Sequence, residues 1–185
     1  MSRGLRPAPP GMPSSEDVEA MIRVDHAGEY GAVRIYEGQL AILKMRRGTQ
    51  GSVAAITRMA RQEEHHLKTF DRLLNERKVR PTALGPLWRV AGFALGAATA
   101  LMGEKAAMAC TAAVEEVIDD HYAGQLERLD DGDPLKATVA EFRGDEAAHR
   151  QEALARGAEQ APGYRFLSEA IKSGCRLAIK LSERI

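Results

Sequence analysis

Aromatic residues make up only 5% of this 185-residue chain, and it has two cysteines. A core short of aromatics but rich in Ala, Leu, Glu and Arg leans all-helical, and no strand alternation competes. Cys110 and Cys175 stand alone in helical-looking text. That excludes a disulfide framework and reads as small buried hydrophobes in a reducing compartment. Charge of one sign is not in excess either: Lys+Arg and Asp+Glu number 26 each. No global field therefore points to nucleic acid. No apolar run reaches the roughly 20 residues that a bilayer-spanning helix needs. Met1 to Pro13 lacks the apolar stretch of a secretory signal and the amphipathic pattern of a transit peptide. It reads as a short disordered tail over residues 1–13, with 14–185 as a single domain.

What is present is a series of helical segments set off by Gly and Pro. Ser14 and Ser15, followed by Glu16 and Asp17, make a helix start. The pattern runs to about Arg47, breaks at Gly48–Gly51, and resumes from about Ser52 to Arg77. Three more helices are expected over about 104–129, 135–157 and 164–182, with Asp130–Pro134 and Pro162–Gly163 as breaks. The stretch from Leu84 to Met102 differs: Val90 to Gly103 carries no charge. It suits a buried or interfacial helix, and its small residues allow close approach of another helix or of a flat ligand.

Within these helices two Glu-x-x-His pairs stand out, Glu63/His66 and Glu146/His149. Each is preceded by a lone glutamate, Glu29 and Glu115, at a matching distance (63 − 29 = 34; 146 − 115 = 31). One Glu from each of two helices and a Glu-x-x-His from each of two others is the donor recipe of a two-metal carboxylate site in a four-helix bundle. Residues three apart share a helix face, so each pair can point inward together. With the first helix running to Arg47, Glu29 lies about 20 residues before the turn and Glu63 about 12 after it; they come level only if that helix ends early or the loop is longer. Four carboxylates and two imidazoles, with no thiolate, suit iron or manganese better than structural zinc or an iron–sulfur cluster. Metal-bound histidines usually donate their other N–H to a carboxylate. Asp145 is therefore expected against His66, and Asp25 against His149. His121 and Tyr122 either border the site or cover the bundle.

Several blocks go further. Arg23-Val-Asp-His-Ala-Gly-Glu-Tyr-Gly-Ala32, Gln62-Glu-Glu-His-His-Leu67, Gly92-Phe-Ala-Leu-Gly96, Ala109-Cys-Thr-Ala-Ala-Val-Glu-Glu116, His121-Tyr122 and Gly174-Cys-Arg-Leu-Ala-Ile-Lys-Leu-Ser-Glu-Arg184 closely resemble the demethoxyubiquinone hydroxylase family. The resemblance covers about residues 18–185, and the family's ligand pattern falls on Glu29, Glu63, His66, Glu115, Glu146 and His149. His65 departs from the acidic residue expected before a ligand histidine.

The resemblance implies a ferritin-like fold, two iron ions, and C6 hydroxylation of 5-demethoxyubiquinol by O2 in ubiquinone biosynthesis. It also implies NADH as electron donor, although no Gly-x-Gly-x-x-Gly motif provides a dedicated NADH domain. Implied partners are a polyprenylated quinol, the membrane surface, a lipid-binding accessory protein and further copies of the chain. The resemblance implies peripheral membrane association, with 84–102 dipping into the lipid interface, and the lack of a clear transit peptide sets the expected location at the cytoplasmic side of a bacterial inner membrane. The competing readings on the same bundle are a quinol oxidase or peroxidase and an iron-handling protein.

Overall fold

Ser14 opens the first helix with a capping box: its Oγ accepts from the Asp17 N–H at 3.2 Å, and Asp17 Oδ2 accepts from the Ser14 N–H at 2.9 Å. The computed structural model describes residues 13–185, so the tail expected over 1–13 lies, apart from Pro13, outside the described residues. Six helices follow: α1 Ser15–Leu43, α2 Gln50–Arg77, α3 Gly85–Met102, α4 Glu104–Arg128, α5 Pro134–Ala155 and α6 Tyr164–Ser182, with a 3₁₀ turn at Ala158–Gln160 before the last. The described residues contain no strand. The architecture is all-α, a four-helix bundle of α1, α2, α4 and α5 with α3 and α6 added.

α1 stops at Leu43, short of the expected Arg47. The cause is Thr49, whose hydroxyl donates to the carbonyls of Leu43 at 2.7 Å and Arg46 at 3.0 Å, folding 44–49 into a turn. The early stop sets the register. Glu29 now lies 43 − 29 = 14 residues before the end of α1, and Glu63 lies 63 − 50 = 13 after the start of α2. In the second hairpin the figures are 128 − 115 = 13 and 146 − 134 = 12. At about 1.5 Å per residue both antiparallel pairs sit level.

Two apolar layers enclose that level. One joins Tyr36, Leu43, Ile56 and Met59 to the alanines of α4. The other joins Ile22, Phe70, Leu74, Leu135 and Phe142 at the opposite end. α3 lies along α1 at backbone contact: a Cβ on Gly96 would stand 1.9 Å from the Ile35 carbonyl oxygen, and one on Gly38 would stand 2.2 Å from that of Phe93. Arg46 caps the far end of α3, donating to the carbonyls of Ala100 and Leu101. Gly103, at φ +123°, then turns the chain directly into α4.

The Leu84–Met102 stretch thus has two different faces. Gly92 and Gly96 bury against α1, and Leu95 packs against the cluster of Ile35, Cys110 and Ile171. Leu87, Val90, Phe93, Leu101 and Met102 face outward, as do Phe166 and Leu177 of α6. No described helix is long and apolar enough to cross a membrane. Cys110 and Cys175 are free thiols pushed up by burial to about 12 and about 11, which leaves them poor nucleophiles.

Candidate metal centre

The structure brings Glu29 from α1, Glu63 and His66 from α2, Glu115 from α4, and Glu146 and His149 from α5 into one layer, each 3% exposed or less. They form two overlapping groups. Glu29, Glu63, His66 and Glu146 make one; Glu63, Glu115, Glu146 and His149 make the other. Within each group one ligating atom per residue lies within 4.8 Å of all the others. Glu63 and Glu146 belong to both, so each could serve both metal positions.

The histidines are oriented by their outer nitrogens. His66 Nε2 lies 3.1 Å from Asp145 Oδ2, and its Nδ1 lies 3.1 Å from Glu146 and 3.4 Å from Glu29. His149 Nε2 lies 3.1 Å from Gln62 Oε1, and its Nδ1 lies 3.0 Å from Glu63. Because an outer acceptor must receive an N–H, each ring carries a proton on Nε2, and Nδ1 is the nitrogen that faces the carboxylate layer.

This corrects one expectation. Asp25 does not serve His149. It lies one turn before Glu29, at the cavity side of α1, where its Oδ1 is 3.1 Å from His121 Nε2 and accepts from the Gln125 amide at 2.7 Å. Gln62 takes the place expected of Asp25. Asp145 stands where expected.

Two tyrosines complete the layer. Tyr36 Oη donates to Glu115 Oε1 at 2.6 Å, and Tyr122 Oη donates to Glu29 Oε1 in a short bond. Burial and the facing carboxylates push both phenols well above 10, so they remain neutral donors. Sequence reasoning named Tyr122 but missed Tyr36, Gln62 and Gln125. A signal for Tyr36 was present: it follows Glu29 by seven residues, as Tyr122 follows Glu115 (36 − 29 = 122 − 115 = 7). Seven residues are two helical turns, so both partners share a face.

The electrostatics fit a cation. Glu29 Oε2, both oxygens of Glu63, Glu115 Oε2, Glu146 Oε1 and His66 Nδ1 are buried without a hydrogen-bond partner. Such groups are costly unless paired or coordinated. Burial, then neighbouring carboxylates, pushes the Glu63 and Glu115 carboxyls far up. Burial acts the same way on Glu146, but the facing His149 and His66 rings outweigh it and hold it at about 2. Burial lowers His66, yet Glu146 and Glu29 raise it to about 10.

The signs follow. In metal-free protein the stability tied to Glu63 and Glu115 is full below the ordinary carboxyl range and is lost as pH rises through their raised values. Glu146 has the opposite sign and loses its contribution only as pH falls toward about 2. A metal must displace the protons of Glu63 and Glu115. Its affinity is therefore expected to fall by about tenfold or more per pH unit on acidification through that raised range, measured by cation titration at several pH values.

An apolar cavity of about 560 Å³ opens between α1, α3, α4 and α6 and reaches this layer. Ile35, Trp88, Leu95, Val114, Ile118 and Ile171 form much of its wall; Asp25, Glu29, His121 and Tyr122 supply polar groups. Glu115 and Tyr36 do not line it.

Two lone-glutamate helices and two Glu-x-x-His helices, closed around a buried carboxylate layer, define the two-metal carboxylate bundle proteins. Within that class the comparisons are specific. Residues 16–182 match the family model described as ubiquinone biosynthesis protein COQ7, and the chain belongs to that family. It is 57% identical over 178 residues to the 3-demethoxyubiquinol 3-hydroxylase of Rhodospirillum rubrum, covering 95% of this chain and 82% of that one. The human NADPH-dependent 3-demethoxyubiquinone 3-hydroxylase, mitochondrial, is 51% identical over 173 residues, covering 91% of this chain and 78% of its own. The 5-demethoxyubiquinone hydroxylase of Saccharomyces cerevisiae is 42% identical over 184 residues, covering 91% and 78% respectively.

Proposed function

We propose that this chain is a di-iron monooxygenase that hydroxylates the ring of a polyprenylated demethoxyubiquinol in ubiquinone biosynthesis. The reaction consumes O2, two electrons and two protons; one oxygen atom enters the ring as hydroxyl and the other leaves as water. Glu29, Glu63, His66, Glu115, Glu146 and His149 would hold two iron ions, which supply oxygen activation that side chains cannot provide. The electrons come from a reduced nicotinamide nucleotide, NADH as the family resemblance implies or NADPH as in the human relative's name.

The observation that carries this reading is the cavity: apolar walls end at Glu29 and Tyr122, on the edge of the carboxylate layer. The walls hold the ring and the first part of the prenyl tail and exclude bulk water. Tyr122 and Tyr36 hold the outer oxygens of Glu29 and Glu115, which fixes the direction of the remaining oxygens. Asp25 Oδ1 accepts from the Gln125 amide and holds His121 Nε2, which fixes the His121 ring in the cavity wall. An iron-handling protein would need a hydrophilic ion path, which this wall does not offer. Incubation with quinol and ¹⁸O2 tests the proposal: label in the ring is expected, and label found in water alone would make the protein a quinol oxidase instead.

We further propose, from the long prenyl tail of the substrate, that the protein works peripherally at a lipid surface, the cytoplasmic face of a bacterial inner membrane. Leu87, Val90 and Phe93 on α3, with Phe166 and Leu177 on α6, form the contact face. A lipid-binding accessory protein or a second copy would compete for that same face. Leu95 is not a probe of it, because it lines the cavity. The double variant Val90→Asp, Phe93→Asp is expected to lose about tenfold or more in vesicle affinity while keeping its melting temperature, since each buried apolar side chain contributes about 1.5–3 kcal/mol. Unchanged sedimentation with liposomes would refute the contact face.

A further inference from the structure

The bundle repeats itself. Exchanging the α1–α2 hairpin for the α4–α5 hairpin maps Glu29 onto Glu115, Tyr36 onto Tyr122, Glu63 onto Glu146 and His66 onto His149. The cross-bonds obey the same exchange, Tyr36 to Glu115 and Tyr122 to Glu29. The repeat fails at the residue before each Glu-x-x-His. Asp145 holds the Nε2 of His66, whereas Gln62 holds that of His149. Gln62 also donates through Nε2 to Asp145 Oδ1 at 3.4 Å, which keeps its carbonyl turned to His149.

We infer that Asp145 and Gln62 make the two metal positions unequal, the position served by Glu29 and His66 holding a divalent cation more tightly than the one served by Glu115 and His149. A carboxylate pulls on the imidazole N–H more strongly than an amide carbonyl does, so it leaves the inward nitrogen the better donor. Partners of this kind change metal affinity by about 10–100-fold, and Asp145 is over a third exposed, which sets the expectation near the lower figure. Phe142 stacks on the His66 ring at 3.8 Å and shields that side. The tighter position is also the one the cavity reaches through Glu29 and Tyr122. The ion nearest the substrate is thus the retained one, and the exchangeable ion lies on the Tyr36 side. Both Asp145 and Gln62 are positioning residues that act through the histidines.

The inference rests on the two-metal reading, and one titration separates their failures. Metal-free full-length protein is titrated anaerobically with Co²⁺, followed by visible absorption and a competing chelator. Two steps are expected, the first at least about tenfold tighter. Asp145→Asn should close the gap by weakening the first step; Gln62→Glu should close it by tightening the second. A substitution that merely loosened the fold would weaken both steps, and a thermal melt of the metal-free variants reports that loosening directly. Two equivalents bound in wild type with equal affinity, or Gln62→Glu weakening the second step, would overturn the inference alone. No Co²⁺ uptake would overturn it together with the two-metal reading. If Asp145→Asn does not fold, Gln62→Glu decides.

Discussion

Glu63→Ala is expected to abolish hydroxylation and to cut iron uptake from two ions per chain to one or fewer. Glu63 stands in both ligand groups, so its loss opens both positions at once. An outer hydrogen-bond partner changes metal affinity by about 10–100-fold, and a shared ligand should exceed that range. The same substitution is expected to leave the metal-free fold no less stable at neutral pH. Glu63 is fully buried, has no hydrogen-bond partner on either oxygen, and is pushed far up by burial and by Glu146, Glu29 and Glu115. Removing it relieves the burial of an unpartnered polar group crowded by other carboxyls, partly offset by the small cavity left behind. Iron should therefore stabilise wild type strongly, by about 4 kcal/mol per ion at a thousandfold excess over Kd, and the variant hardly at all. Metal analysis and melts with and without iron check this. A variant that still binds two ions would mean that the layer is not the metal site.

Gly96→Ala should unfold or severely loosen the protein, at a cost of about 4 kcal/mol or more. A Cβ at Gly96 would sit 1.9 Å from the Ile35 carbonyl oxygen, and backbone on both sides leaves no flexible side chain to yield. The ordinary preference of a helix for Ala over Gly, about 1 kcal/mol, cannot offset that clash. Relief requires α3 to move off α1, which opens the cavity wall made by Gly92 and Leu95. Any folded fraction should therefore also lose substrate affinity. Gly174→Ala is the control. It lines the cavity from α6 with nothing within 4 Å of its Cβ position, so it should be neutral or slightly stabilising. Urea unfolding of the two variants gives the comparison, and equal midpoints would show that α1 and α3 are not in backbone contact.

The early end of α1 explains how closely the metal layer could be read from sequence. Spacing alone selected all six donors, because helical periodicity converts a three-residue interval into a shared face whatever surrounds it. The same reading left Glu29 and Glu63 out of level, because helix propensity continues past Leu43 and does not reveal that Thr49 folds the turn back. Asp25 illustrates a different limit. It lies one turn from Glu29, so periodicity puts it near the site, but which histidine it meets depends on which helix packs beside that turn. α4 does, presenting His121 and Gln125. Gln62 was overlooked because a neutral amide is not an expected partner for a ligand histidine; it becomes one only when Asp145, from the other hairpin, orients it.

By itself the sequence determined what repeats along a helix: the all-α class, six donors on four helices, the tyrosine seven residues beyond each lone glutamate, and a charge-free segment of small residues. The tertiary structure decided what depends on neighbours distant in the chain. It set the crossing of each tyrosine to the opposite glutamate, the exchange of Asp25 for Gln62 behind His149, and the cavity between α1, α3, α4 and α6. The physical reason is range: a helix imposes its geometry over a few residues, whereas a hydrogen bond or a cavity wall between helices exists only after close packing has chosen which side chains meet.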